Sequence, residues 1–234
     1  MKLLGVPISQ LSQEEILAQV KVFLAEPKFH RIATVNPEFL VLADTDQVFK
    51  NSLLAADLCV ADGFGIVLAG LLRGKKITRF PGVDLFHEVL TIAERDGHSV
   101  FLVINKDGLS SYEEIRLALL KKYPRLLIHG IDVSVNEDLD SKFEIRDSKI
   151  ILCDFGAPEQ ELSLESLRST PGNIRLAMGV GGSFDFLTSK QKRAPQCLRT
   201  IGLEWLWRLI LQPKRWKRIW NAVIVFPVKV LFCK

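Results

Sequence analysis

The fold is decided by the segment Ala56-Asp57-Leu58-Cys59-Val60-Ala61-Asp62-Gly63-Phe64-Gly65-Ile66, a short apolar run followed by Asp-Gly and an apolar helical pattern. This order predicts a buried strand, a tight turn and a helix that begins near Phe64. Ligands of open α/β sheets collect at the carboxyl ends of the strands, where Asp62 lies. Aspartate also commonly caps the helix that follows it, and this segment alone favours the cap over a catalytic role.

The length and composition of the chain fit one large α/β domain, alone or with an appendage. Of its 234 residues, 48% are hydrophobic, which is enough for a sizeable core. The four cysteines form no CxxC pair and the four histidines show no ligand spacing. We therefore expect buried free thiols in a reducing compartment and no zinc site. The segment 1–7 is too short for a secretory signal peptide.

Charge is unevenly distributed along the chain. The segment 188–234 has eleven Lys or Arg residues and one acidic residue, Glu204, for a net charge of +10. The rest of the chain has a net charge of −6, and all four tryptophans lie in the basic segment. Two parts of the chain are therefore expected to have different partners.

Segments with strand character alternate with helical patterns before this basic segment. A capping box at 12–15 and the sequence Asn36-Pro37-Glu38 mark two helix starts. The charged segment 136–146 is predicted as a short surface helix. The alternation predicts an α/β fold with a Rossmann-like, mostly parallel sheet and helices on both faces. The predicted strands are 3–8, 31–35, 58–61, 100–104, 126–131, 149–153 and 174–178.

Polar or glycine-rich turns follow four of these strands. They contain Thr34 and Asn36, Asp62, the turn after Cys153, and the run 179–183. A site at one edge of the sheet is therefore expected. Glycines let backbone amides approach phosphate oxygens, so a diphosphate ligand fits this chemistry. The glycine run does not match the dinucleotide fingerprint, because it lies far from the first strand-helix-strand unit.

The basic segment is predicted to form a helical C-terminal appendage. The sequence Gln191-Lys192-Arg193-Ala194-Pro195 marks a boundary, so we divide the chain into a core, 1–195, and an appendage, 196–234. The uncharged run 219–228 is too short to span a bilayer. Basic residues interleaved with Trp favour an element that lies on an anionic membrane. A helix pair packed on the core and a nucleic-acid patch are the alternatives, and no recognised nucleic-acid fold accompanies the latter.

Seven motifs together resemble the WecG/TagA/CpsF family of bacterial glycosyltransferases, from Gly5 to about Arg218. Each motif alone is weak, whereas all seven occur in the family's order. They are Thr34-Val35-Asn36-Pro37-Glu38, Ala61-Asp62-Gly63-Phe64-Gly65, Arg79-Phe80-Pro81-Gly82-Val83-Asp84-Leu85, Gly156-Ala157-Pro158-Glu159-Gln160-Glu161, Gly179-Val180-Gly181-Gly182-Ser183-Phe184-Asp185, Lys192-Arg193-Ala194-Pro195 and Gly202-Leu203-Glu204-Trp205-Leu206.

The resemblance implies an inverting, UDP-sugar-dependent hexosyltransferase, cytoplasmic and peripheral on the inner face of the cytoplasmic membrane. Its donor would be UDP-linked N-acetylmannosamine or its uronic acid. Its acceptor would be N-acetylglucosamine on a polyprenyl diphosphate, in the synthesis of teichoic acid or another surface polysaccharide. The resemblance implies no cofactor or metal. We expect no nucleic-acid partner, and a homo-oligomer is possible.

The resemblance also implies roles for individual residues. Asp62 is the general base, and the other residues expected at the catalytic centre are Thr34, Asn36, Arg79 and Gln160. Asn36 and Thr34 would orient sugar hydroxyls, and Arg79 would offset diphosphate charge. For each residue a structural role, such as a helix cap, a turn or a solvated surface charge, is the alternative. The expected substrate-binding residues are Gly156, Gly181, Gly182, Ser183, Asp185, Arg208, Lys214, Arg215 and Arg218.

Two rival functions remain at this point. A nicotinamide-dependent oxidoreductase would use the same type of sheet, but residues 1–30 lack the glycine fingerprint that it needs. A non-enzymatic module that binds the membrane surface would use only the basic appendage. Such a module would have no use for Asp62, so an Asp62→Ala variant of it should behave like the wild type.

Overall fold

The structure is a computed structural model that describes residues 1–135, 137, 139, 145 and 147–232. The helix predicted over 136–146 therefore lies mostly outside the described residues, as does Cys233. The chain has eight described strands. They are β1 (Lys2–Leu3), β2 (Val6–Pro7), β3 (His30–Val35), β4 (Leu58–Ala61), β5 (Ser99–Asn105), β6 (Leu127–Val133), β7 (Ile150–Cys153) and β8 (Leu176–Gly179).

Six of these strands form one parallel sheet in the order β4-β3-β8-β7-β5-β6. The predicted Rossmann-like α/β sheet is confirmed. The single strand expected over 3–8 is wrong, because β1 and β2 form a separate antiparallel hairpin. The chain reverses between them at Leu4 and Gly5, which both have positive φ, and glycine adopts that conformation without strain.

Helices cover both faces of the sheet, as predicted. The described core helices are α1 (Gln13–Ala25), α2 (Pro37–Thr45), α3 (Gln47–Ala55), α4 (Phe64–Leu72), α5 (Gly82–Asp96), α6 (Tyr112–Lys122), α7 (Glu159–Ser166) and α8 (Ser183–Leu187). Helices α1, α5 and α6 pack on one face, and α2, α3, α4 and α7 on the other. Successive residues of a strand point to opposite faces of the sheet, so a sheet covered on both faces needs apolar residues on both. Accordingly, every residue of β3, β4, β7 and β8 is buried.

The free cysteines are distributed between core and surface. Cys59 and Cys153 are buried in strands, as expected. Cys197 is exposed, which corrects the expectation of a buried thiol. It lies in a short helix outside the sheet, where neighbouring elements do not cover it.

The C-terminal helical segment follows the last core helix. It contains α9 (Gln196–Thr200), α10 (Glu204–Leu211), α11 (Trp216–Trp220) and α12 (Phe226–Phe232), with a 3₁₀ turn at Pro213–Arg215 and a π-helical turn at Asn221–Val225. None of residues 196–225, which the structure describes in full, is buried. Phe226 and Val230 are buried and pack into the same apolar cluster as α2 and α4. Within the described residues, none of the helices combines the length and the apolar character needed to cross a bilayer.

Candidate active site

Two cavities meet at the carboxyl edge of the sheet. The first, which we call the polar cleft, has a volume of about 340 Å³ and is lined by the strand-end turns, including Thr34, Asp154, Gly156, Gly181 and Asp185. The second, which we call the apolar groove, has a volume of about 310 Å³ and lies between α4 and the C-terminal helices. The cavities share one set of lining residues: Asn36, Glu38, Asp62, Arg208, Arg215 and Arg218.

Asp62 lies directly after β4, at the junction of the two cavities. The residue before α4 is Gly63, and α4 has no side-chain cap, so the expectation that Asp62 caps this helix is wrong. The Asp62 Oδ1 atom instead accepts a hydrogen bond of 2.9 Å from the backbone N–H of Gly82, the first residue of α5. The strand end thus turns the carboxylate toward a different helix, which the local sequence does not reveal.

The pKa of Asp62 is raised from its ordinary value of 3.8. Burial is the largest cause, because it disfavours the charged form, and it outweighs the Gly82 hydrogen bond and the nearby Arg208 and Arg79. Glu204 adds to the increase. A raised pKa makes the carboxylate a stronger proton acceptor than an exposed aspartate.

Glycines allow the helix starts around Asp62 to approach closely. A Cβ atom on Gly63 would lie 2.5 Å from Cδ of Pro37, and one on Gly82 would lie 3.2 Å from Oγ1 of Thr34. A side chain at Gly63 would therefore displace the start of α2. The close contact between the turn after β4 and the start of α2 therefore requires a glycine at position 63.

Thr34 and Asn36 lie beside Asp62. Thr34 is buried at the end of β3 and lines the polar cleft. Asn36 caps α2, since its Oδ1 atom accepts a hydrogen bond of 3.0 Å from the N–H of Phe39. Asn36 also lines both cavities. Its structural role as a helix cap is therefore compatible with contact to a ligand.

Arg79 lies at the apolar groove and does not line the polar cleft. Its guanidinium donates to the backbone oxygens of Asp62 and Arg199, at 2.8 and 3.0 Å, and to Glu204 Oε2 at 3.1 Å. Arg79 therefore connects the Asp62 turn to the C-terminal helices. Its expected role in offsetting diphosphate charge stays a prediction.

Gln160 is buried and joins two glycine turns. Its Oε1 atom accepts hydrogen bonds from the N–H groups of Gly156, at 3.2 Å, and Gly181, at 3.3 Å. Both glycines have positive φ, of 79° and 46°. A Cβ atom on Gly179 would lie 2.3 Å from Gln160 Nε2, so β8 needs a glycine there. The side chain of Gln160 is thus placed to support the wall of the polar cleft.

A buried charge network that the sequence analysis missed lies below Gln160. Arg31, the second residue of β3, has no exposed surface and forms ion pairs with Glu161 and, at 2.8 Å, with Glu165. Burial raises the pKa of Glu161. The charge of Arg31 and a hydrogen bond from Gln160 Nε2 favour the carboxylate and so limit this increase. A charged residue in a strand predicted to lie inside the sheet was the available signal, because such residues are almost never fully buried unless paired.

The far end of the polar cleft is acidic. Asp185, the candidate ribose ligand, accepts hydrogen bonds from Ser110 Oγ at 3.3 Å and Gln191 Nε2 at 3.1 Å. Asp154, also missed, accepts one of 2.6 Å from the N–H of Asn105. Burial, reinforced by Asp185 and Asp132, raises the pKa of Asp154 to about 7. The signal for Asp154 was its position immediately after β7, equivalent to that of Asp62 after β4.

The remaining glycine-run residues also line the polar cleft. Gly182 and Ser183 lie at the start of α8, beside the cavity. Ser183 is buried, and its hydroxyl donates to the carbonyl of Val180 at 2.6 Å. The hydroxyl therefore has a structural partner, whereas Gly182 has open space around its Cα atom, with only Asp185 within 4 Å of an added Cβ.

Three of the four basic residues expected from the C-terminal helices reach the junction. Arg208 donates to Glu204 at 2.9 Å, and Arg218 pairs with Glu38. The side chain of Arg215 lines both cavities, and among the described residues it forms no hydrogen bond and no ion pair within 4 Å. Lys214 is exposed and lines neither cavity. In the described part of the chain, no cluster of His, Cys, Asp and Glu has the arrangement of a metal site.

Comparison with known proteins identifies the family. The family model described as glycosyl transferase WecG/TagA/CpsF matches residues 1–234. This chain belongs to the WecG/TagA/CpsF family. As a member of that family it is a glycosyltransferase, as its seven motifs predicted. The two rivals, an oxidoreductase and a non-enzymatic membrane module, are therefore set aside.

The chain is also similar to curated proteins from Staphylococcus aureus. The N-acetylglucosaminyldiphosphoundecaprenol N-acetyl-beta-D-mannosaminyltransferase of strain MRSA252 is 29% identical over 240 aligned residues, which cover 99% of this chain and 92% of the relative. Proteins of the same name from strains NCTC 8325 / PS 47 and COL are 28% identical over 238 residues, with the same coverage.

Proposed function

We propose that this glycosyltransferase moves N-acetylmannosamine from a UDP-sugar to N-acetylglucosamine on a polyprenyl diphosphate, with inversion at the anomeric carbon. The observation that carries the proposal is the position of Asp62 where a polar cleft meets an apolar groove. A polar nucleotide-sugar and a lipid-linked acceptor require two such cavities with a base between them. The names of the similar S. aureus proteins support this pair of substrates.

The chemical step needs one base. The Asp62 carboxylate takes the proton of an acceptor hydroxyl, whose oxygen attacks the anomeric carbon of the donor. The bond from that carbon to the diphosphate breaks, and UDP leaves with the bonding electron pair. The half-buried position of Asp62 and its raised pKa suit it to hold this proton during the transfer.

The donor occupies the polar cleft in this proposal. The turns at Gly156 and Gly181, whose N–H groups are held by Gln160, leave open space in the cleft wall, and Gly182 lets the diphosphate approach the backbone closely. Asp185 accepts hydrogen bonds from the ribose. Gln160 acts as a positioning residue, since its amide already binds both turns. Thr34 and Asn36 orient sugar hydroxyls beside Asp62.

The arginines at the junction stabilise diphosphate charge in this proposal. Arg215 is best placed, because its side chain faces both cavities and is not engaged in a hydrogen bond or close ion pair with a described residue. Arg208 and Arg218 are shared with Glu204 and Glu38, so an incoming diphosphate has to compete for them. Arg79 positions the Asp62 turn, and Lys214 is left for lipid headgroups.

The same proposal places the enzyme on the inner face of the cytoplasmic membrane, bound through the appendage. Trp216 and Trp220 are 57% and 55% exposed, and Lys217 lies between them. Aromatic side chains with neighbouring cations favour an anionic membrane interface. The division into a core, 1–195, and a membrane-associating appendage, 196–234, belongs to this proposal.

One experiment tests the reaction. The full chain is incubated with a panel of UDP-sugars and an N-acetylglucosamine diphosphate linked to a lipid, and the products are identified by mass. We expect one N-acetylhexosamine to be added and UDP to be released, with UDP-N-acetylmannosamine as the best donor. Transfer to the lipid from none of the UDP-sugars would contradict the proposed reaction, and a preference for another donor would correct the sugar.

A further inference from the structure

The apolar groove has a lining that a nucleotide-sugar does not need. One wall is α4, with Phe64 and Leu68, and the other comes from the appendage. The appendage side is formed by Trp205, Ile219, Ala222, Val223 and Pro227. A largely apolar lining of this kind selects a hydrocarbon ligand, because binding removes apolar surface from water.

The part of the groove beside Asp62 is charged, unlike the apolar walls. Beside Asp62 it is bounded by Arg208, Arg215 and Arg218, which are cationic. Arg79 and Glu204 lie at the same cavity and are paired with each other. A ligand that fills the groove and reaches Asp62 must therefore join an apolar chain to an anionic group.

The apolar surface continues beyond the groove along α4. This helix contains no charged residue, and Leu71 and Leu72, one turn after Leu68, are 70% and 61% exposed. Contiguous exposed apolar surface of this kind marks an interaction site. From Phe64 to Leu72 the helix rises about 12 Å, so the groove accommodates only part of a long chain.

We propose that the groove between α4 and the appendage binds the part of the acceptor's polyprenyl chain that is next to its diphosphate. The proposal rests on the proposed function, because it takes the acceptor from there. The diphosphate lies at the three arginines, the first sugar faces Asp62, and the chain leaves along Leu68 toward Leu71 and Leu72. The core helix α4 thereby becomes part of the acceptor site.

The test compares two acceptors with the same head group, one on a long polyprenyl chain and one whose diphosphate carries only a methyl group, in the same detergent. UDP-N-acetylmannosamine is the donor. Leu68→Gln makes one wall polar, and Ala222→Phe fills the groove with a ring. Leu117→Gln is the matched control, because Leu117 is 60% exposed on α6 and lines neither cavity.

We expect both groove variants to raise the KM for the long-chain acceptor about tenfold, as the loss of contacts to roughly two methylene groups would. The KM for the methyl acceptor, which has no chain to place in the groove, and the kcat should stay within about twofold of wild type, and Leu117→Gln should change neither KM. Thermal unfolding of each variant verifies that the fold is retained.

Three outcomes would overturn this proposal and leave the proposed function standing. Equal KM increases for both acceptors would show that the groove acts on the head group. Unchanged KM values with an altered mass in solution would show that the groove joins two copies of the chain, and unchanged KM values alone would show that it binds no chain. Failure of the wild type to use either acceptor would instead refute the proposed function, and this proposal with it.

Discussion

Burial differs sharply between the core and the appendage. Every residue of β3, β4, β7 and β8 is buried, whereas none of residues 196–225 is buried. The appendage contacts the core through Phe226 and Val230 and through ion pairs such as Lys229 with Asp44. Its aromatic residues Trp216 and Trp220 remain exposed.

This difference shows two ways in which apolar residues are used. In the core they stabilise the fold by contacts with each other, so substitution there lowers the free energy of unfolding. In the appendage many of them stay exposed, such as Ile210, Trp216 and Trp220, so their contribution lies in binding something outside the chain. Phe226 and Val230 instead bury themselves in the core.

Removal of the appendage should have the largest effect. A chain that ends at Pro195 lacks the basic and Trp-rich residues, and we expect it to lose binding to anionic vesicles completely in a sedimentation assay. The intact chain should bind at low salt and less at high salt, because salt screens the charges. If the truncated chain still sediments with the vesicles, the membrane contact belongs to the core.

Substitution of the proposed base tests what the core contributes to the chemistry. Asp62→Asn should lower kcat by about two to four orders of magnitude, while UDP-sugar binding is retained. In the wild type, kcat should rise with pH as Asp62 loses its proton. Because the pKa of Asp62 is raised, the midpoint of this rise should lie above the usual pKa range for aspartate. Asp96→Asn, at the opposite end of α5, is the control, and near-normal turnover of Asp62→Asn would exclude its role as the base.

A pair of aromatic substitutions compares the two uses of apolar residues directly. Phe226→Ala should lower the free energy of unfolding by about 3–5 kcal/mol, because it leaves a cavity in a buried cluster. Trp220→Ala should cost less than about 1 kcal/mol, since the side chain is 55% exposed. Urea denaturation measures both free energies of unfolding. Equal losses in the two variants would show that buried and exposed aromatic residues of the appendage contribute alike to stability.

The pH dependence of stability provides a smaller effect, located in the polar cleft. The pKa of Asp154 is about 7 in the folded chain, against 3.8 ordinarily, so its contribution to stability is complete below about pH 4 and is lost as the pH rises through about 7. Asp154→Asn should therefore be more stable than wild type at pH 8 by roughly 2–4 kcal/mol, with the advantage shrinking toward pH 4. Urea denaturation at several pH values tests this, and an advantage independent of pH would show that Asp154 is not the titrating group.

Most of the fold and part of the site were predictable from the sequence. The alternation of buried strands with capped helices depends on local patterns, which is why the parallel sheet and Asn36 as a cap were anticipated. Asp62 was located at a strand end, although its partner was not: Gly82 lies 20 residues away in the chain. The absence of a nucleic-acid partner and the oligomeric state stay predictions.

By itself the sequence determined the α/β class, the family and the charge segregation of the appendage, because these depend on residue order and composition. The tertiary structure alone decided which distant residues meet. It paired Arg31 with Glu161 inside the sheet, engaged Arg79 with the Asp62 turn, and left Arg215 facing both cavities. The physical reason is that a side chain's chemistry depends on its burial and on neighbours brought together by packing, and local patterns do not encode either.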